Sequence, residues 1–169
     1  ADRCPSSDGW WIALDFRSPR CCLGQGDTCI SSHLGEDWNW GAGAEDVGRV
    51  VRMPANGIVT FVHTSAGWVA ALLARFDAPT GSHFRWTADG VAREASAVWM
   101  LFGHIDVERG VAPGRRLARG DVLGRISATL CSECTGPHLH WEVITDCAAS
   151  APGPGYHASN LGRTDPTDF

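Results

Sequence analysis

A chain of 169 residues with 44% hydrophobic and 20% charged residues has the proportions of one globular domain, and disorder is not its default. Its formal net charge of −5 argues against nucleic acid as a partner, because phosphate binding needs a concentrated Lys/Arg surface. No run approaches the ~18 uninterrupted apolar residues of a membrane-spanning helix.

The chain opens at Ala1-Asp2-Arg3-Cys4 without an initiating Met or an apolar signal core, as a processed secretory product or a chain trimmed at that point would. Seven cysteines are many for this length, and they fall at Cys4, Cys21, Cys22 and Cys29, then at Cys131, Cys134 and Cys147. Such usage favours disulfides in an oxidising compartment, secreted or periplasmic. The odd count leaves at least one thiol free or paired outside the chain. Cys131 and Cys134 form a CxxC, but no second CxxC follows at finger-like spacing, which argues against a thiolate zinc site.

Residues 1–30 read as an irregular, disulfide-tied arm in which residues 10–14 add one strand. Residues 31–40 lead to the flexible Gly41-Ala42-Gly43-Ala44 loop. Then 49–53, Pro54-Ala55-Asn56-Gly57 and 58–63 read as strand, turn, strand, with Asn56-Gly57 a hairpin signal. Periodicity cannot separate helix from buried strand over the apolar run 67–76, and its neighbours favour strand. Residues 77–96, with Pro79, Gly81 and Gly90, form a surface excursion that includes a small hairpin around Phe84-Arg85-Trp86-Thr87. Residues 97–104 make a strand ending in Gly103-His104, and glycine-punctuated short strands fill 111–126. A turn at Gly136-Pro137 opens the stretch His138-Leu139-His140-Trp141-Glu142-Val143, again a strand. The tail is Pro/Gly-rich from Pro152 to Tyr156 and polar over 164–169. Strands recurring about every eight to twelve residues, with no convincing amphipathic helix, predict an all-β domain. Its expected form is mainly antiparallel sheets, sandwich or barrel-like, with long loops around a groove.

Strand alternation puts His138 and His140 on one face and Leu139 and Trp141 on the other. Two adjacent imidazoles are half of a metal site, although a bare HxH pair is commonly just a solvated strand face. His33 and Asp37, four apart, and His104 at a strand end have equally ordinary readings when taken singly. Together they offer the donors that zinc prefers in hydrolytic sites, which use three protein ligands and leave the fourth position to water. Supplying the third ligand from His33 or Asp37 leaves imidazoles over for proton transfer. Such a metal lowers the pKa of its water to about 7 and polarises a carbonyl, a route to amide hydrolysis without a serine or cysteine nucleophile.

Four blocks, in order, resemble the lysostaphin/LytM-type zinc metalloendopeptidases that cut bacterial cell-wall peptides. They are His33-Leu34-Gly35-Glu36-Asp37, Pro54-Ala55-Asn56-Gly57-Ile58-Val59, Phe102-Gly103-His104-Ile105, and Gly136-Pro137-His138-Leu139-His140-Trp141-Glu142-Val143. The resemblance implies a zinc metallopeptidase domain over 31–169, with one zinc on His33, Asp37 and His140. It implies that His104 and His138 orient or deprotonate the attacking water and stabilise the oxyanion. It further implies a secreted or periplasmic enzyme acting on stem or cross-bridge peptides of peptidoglycan. Two other readings are a noncatalytic wall-binding or hydrolase-regulating module of the same fold, in which ligand positions are typically degraded, and a peptidase of soluble, glycine-rich proteins. All five positions are intact here. Phe102 stands where the family usually has Tyr, removing a hydroxyl that could help hold the oxyanion. The cysteine-rich arm, the Cys131-x-x-Cys134 pair and the length of 77–96 also depart from the pattern. Trp38, Trp40 and Trp141 lie beside the proposed ligands and are candidates to line a groove.

Overall fold

The structure, a computed structural model, describes residues 9–17, 19–20, 31–41, 44–132, 134–146, 152–167 and 169. Cys4, Cys21, Cys22, Cys29 and Cys147, and with them most of the expected arm, lie outside the described residues. Among the described residues there is no helix. The first strands are β1 (Trp10–Leu14), β2 (Pro19–Arg20), β3 (Ser31–His33), β4 (Glu36–Trp40), β5 (Val50–Arg52), β6 (Gly57–Ser65) and β7 (Val69–Asp77). Next come β8 (Phe84–Ala88), β9 (Val91–Ala95), β10 (Ala97–Gly103), β11 (Ile105–Val107) and β12 (Arg116–Leu117). The last are β13 (Val122–Ile126), β14 (Leu139–Ile144), β15 (Tyr156–His157) and β16 (Arg163–Thr164).

Every described pairing is antiparallel. The main sheet runs β1-β4-β14-β10-β7-β6-β12 and stays open, with β16 sharing an edge of β14 with β4. Two three-stranded sheets, β11-β13-β5 and β15-β3-β2, and the β8-β9 hairpin complete the fold. This is the all-β domain that the turn spacing predicts.

One face of the main sheet carries Val98, Met100 and Phe102 from β10, Leu72, Ala74 and Phe76 from β7, and Val143 from β14. These pack with Val51, Ile105, Leu123 and Ile126 of the β11-β13-β5 sheet into the larger core. Burying each such aliphatic or aromatic side chain contributes roughly 1.5–3 kcal/mol. The other face carries Ala71, Leu73, Leu101 and Ile144 under Trp68 in a smaller cluster. Because β7 is covered on both faces, its residues from Ala70 to Ala74 are all buried. A strand buried on both sides loses its alternation, which is why 67–76 shows no readable period.

The Asn56-Gly57 signal does not make a hairpin. β5 pairs with β13, whereas β6 pairs with β7 and β12, so the turn carries the chain from one sheet to another. Asn56 Oδ1 accepts the Arg119 amide at 2.9 Å, and a Cβ on Gly57 would lie 2.6 Å from the Arg75 carbonyl oxygen. The glycine is needed for close approach between strands.

Candidate metal centre and its cleft

Three backbone segments converge on the smaller-cluster face. His33 ends β3, the corner Leu34-Gly35 turns the chain into the main sheet, and Asp37 follows on β4. A Cβ at Gly35 would stand 2.3 Å from the Trp141 carbonyl oxygen, so only glycine lets this corner press against β14. Asp37 then sits directly opposite His140 in the β4-β14 register, and Gly103 sits opposite His140 on its other side. His104 follows Gly103 and His138 immediately precedes β14, so both stand at the mouth of the same cleft.

The geometry of the first three is tight. His33 Nε2 lies 3.0 Å from His140 Nδ1 and 3.2 Å from Asp37 Oδ1, and His140 Nδ1 lies 2.9 Å from the same carboxylate oxygen. Outer partners set the tautomers. His33 Nδ1–H donates to the Asp15 carbonyl at 3.2 Å, and His140 Nε2–H donates to Glu142 Oε1 at 3.1 Å. With the outer nitrogens protonated, the inward nitrogen of each ring is the one that would turn a lone pair to a metal once its own proton is lost, beside the carboxylate. Three acceptors with no proton among them repel unless a cation lies between them. Their separations are close to the ~3.3 Å edge of a tetrahedron built on metal–nitrogen bonds of about 2.0 Å, so this donor set fits zinc.

Charge flows the same way. Burial works against the Asp37 carboxylate, but hydrogen bonds from His140 and His33 hold it well below the usual range. Burial likewise works against a charged His140, yet the hydrogen bonds and charges of Asp37 and Glu142 raise it to about 9. Glu142 is buried too, and His140 and Arg163 nevertheless keep it below its ordinary value. Arg163 Nε donates to Glu142 Oε2 at 2.8 Å from the neighbouring β16. In the metal-free chain a proton on His140 thus occupies the place that a cation would take.

His104 is the opposite case. Burial first, then the nearby imidazoles of His138 and His140, push it down to about 3, so it is neutral. Its ring stacks on Trp68 with centroids 5.4 Å apart and meets the edge of His138 at 4.5 Å. Its backbone is left-handed, with φ 61°. That conformation is held by its amide, which bonds the Trp68 and Ala70 carbonyls, and by its carbonyl, which accepts the Ser127 amide. His138 Nδ1–H donates to the Gly136 carbonyl at 2.9 Å, which turns Nε2 towards Asp37 Oδ1 at 3.5 Å.

The structure therefore brings His33, Asp37, His104, His138 and His140 to one cleft of about 720 Å³. It does not bring the three expected tryptophans there. Trp38 and Trp40 alternate with Asp37 and Asn39 on β4 and face the other way, Trp38 packing on Trp141 and Trp40 on Trp10. Trp141 alternates with His140 and packs against the larger core. The aromatic walls are instead Trp11, Trp68 and Tyr156, with Tyr156 opposite His33 in the β15-β3 register and its ring 5.0 Å away. Phe102 also faces the larger core, so the missing hydroxyl at that position has no bearing on the cleft. Glu142 could have been found by alternation from His140. Trp68, Tyr156 and Arg163 carry no local signal, since distant segments deliver them.

The open antiparallel sheet is shared with solved peptidases, lysostaphin among them. The catalytic domain of lysostaphin from Staphylococcus simulans superposes with a TM-score of 0.57 at 18% identity, covering 94% of this chain and 90% of that one. LytU matches with a TM-score of 0.56 at 21% identity over 92% of this chain and 80% of its own. A zinc-containing peptidase from Vibrio cholerae matches with a TM-score of 0.59 at 20% identity, over 95% of this chain but 37% of that larger one. Neither a family model nor a curated relative matches at the level of sequence. At these identities the likeness defines the fold.

Proposed function

We propose that this chain is a zinc-dependent endopeptidase that hydrolyses peptide bonds of bacterial peptidoglycan, in the stem or the cross-bridge, outside the cytoplasm. The observation that carries this reading is the convergence of His33 Nε2, Asp37 Oδ1 and His140 Nδ1 within 3.2 Å of one another, with the outer nitrogens of both rings tied by hydrogen bonds. Those three residues would hold the metal. Bound there, zinc supplies a Lewis acid for the scissile carbonyl and makes water easier to deprotonate.

The chain's own groups supply the rest. His138, with Nδ1–H tied to the Gly136 carbonyl, offers Nε2 as the acceptor for the proton of the attacking water. Neutral His104, backed by Trp68, offers an N–H to the developing oxyanion. Trp11 and Tyr156 flank the cleft and suit a peptide joined to sugar. The fold of peptidases such as lysostaphin supports the reaction class, and the Cys131–Cys134 disulfide agrees with an oxidising compartment. A wall-binding module without activity would have no need of five such residues around one cleft.

The test pairs zinc content with release of peptides from purified peptidoglycan. Wild type holds one zinc per chain and cleaves; His140→Ala loses both; His104→Ala keeps the zinc and loses cleavage. Undiminished cleavage by either variant removes the assignment.

A further inference from the structure

Beside the first cluster stands a second, sharing no residue with it: His104, His138 and Cys134. One donor atom from each lies within 4.8 Å of the others. Cys134 Sγ is 3.9 Å from both ring nitrogens of His104, and the His104 and His138 rings meet at 4.5 Å. As half of the Cys131–Cys134 disulfide, that sulfur cannot ligate as a thiolate.

We propose that reduction of the Cys131–Cys134 disulfide creates a second metal site at the rim of the cleft, in which Cys134 thiolate, His104 and His138 bind a zinc-class divalent cation. Two imidazoles and one thiolate are a donor set that suits zinc or cobalt, with water completing four positions.

The scaffold for this site exists before reduction. The Ser132 amide bonds the Ala66 carbonyl at 3.0 Å, anchoring the cysteine loop to the β6-β7 turn independently of the disulfide. His104 is fixed by its backbone bonds and by Trp68, and His138 by Gly136. Of the two cysteines, Cys131 is buried whereas Cys134 is half-buried and lines the cleft. The chemistry balances with a dithiol reductant. Its thiolate attacks one sulfur of the disulfide, its second thiol closes the reductant's own disulfide, and the two electrons and two protons end as thiols on Cys131 and Cys134. Metal binding then releases the Cys134 proton to solvent.

One consequence rests on the function proposed above. The second site would use the two histidines assigned to proton transfer and oxyanion binding, so the reduced chain would be silenced by metal that leaves the oxidised chain active.

The test titrates cobalt(II) into the full chain, either oxidised or reduced with dithiothreitol and desalted without air. The oxidised chain is expected to take one cobalt without sulfur-to-cobalt charge-transfer absorption, because the first cluster has no thiolate. The reduced chain takes a second cobalt with that absorption. Cys134→Ser abolishes the added band even when reduced, which separates this site from the other cysteines. Cys131→Ser shows the band without reductant, and circular dichroism checks that both variants keep the strand signal. A reduced wild type without the band, or a band that survives in Cys134→Ser, overturns the proposal. Because the readout needs no substrate, failure of the peptidase assignment would leave it standing, and the reverse holds too. In the activity arm, zinc beyond one equivalent suppresses peptide release only after reduction.

Discussion

Two histidines with ring centroids 6.0 Å apart behave in opposite ways: His140 is raised to about 9 and His104 lowered to about 3. Both are buried, and burial alone would lower both. The difference is company. His140 lies between two carboxylates, Asp37 across the strand pair and Glu142 two residues along the same face. His104 has an indole on one side and imidazoles on the other. The surroundings of His140 are thus built to hold positive charge and those of His104 to keep it neutral, a division of labour that one residue type serves through its neighbours.

Removing the shared anion should break this contrast most severely. In Asp37→Asn, His140 loses the partner that raises it and the donor trio loses its charge, so zinc content and peptide release both fall to background. A variant that keeps one zinc per chain would show that the carboxylate is dispensable. A milder disturbance is Glu142→Gln, which leaves the trio intact but weakens the outer partner of His140. Second-layer changes of this kind cost about 10–100-fold in metal affinity, readable by chelator competition. Affinity unchanged within a factor of two would sink that role.

The smallest effect sharpens the contrast through pH. In the metal-stripped chain, His140 has a folded value of about 9 against an ordinary 6.5. Its contribution to stability is complete below 6.5 and is lost as pH rises towards 9. His104, about 3 when folded, contributes fully above 6.5 and loses that contribution as pH falls towards 3. The melting temperature of the stripped chain should therefore decline on the alkaline side from pH 6.5 to about 9. Added zinc should remove that decline, since metal and proton compete for one place. A stripped chain with a flat melting curve across this interval would contradict the arrangement.

What could be read from the chain followed from locality. The alternation that puts His140 and Glu142 on one face is a property of a few consecutive residues, and β14 displays it, whereas His138 stands one residue before that strand and reaches the cleft through its bond to Gly136. The same rule, applied to β4 and β14, would have sent Trp38, Trp40 and Trp141 to the far face; adjacency in sequence to a ligand means opposition in space on a strand. Asn56-Gly57 marked a turn correctly, but two-residue chemistry does not say which sheet the next strand joins. Trp68 was out of reach for a different reason. Its place above His104 depends on Gly103, where a Cβ would come within 2.7 Å of the indole, and on a left-handed Val69 with φ 59°.

The corner at Leu34-Gly35 has a mechanical consequence. His33 belongs to the β15-β3-β2 sheet, while Asp37 and His140 belong to the large one. An ion gripped by all three would act as a rivet between two plates. Chelation would loosen the small plate, with its Tyr156 wall, and leave the hydrophobic interior untouched, so the binding surface would soften well before the molecule melts.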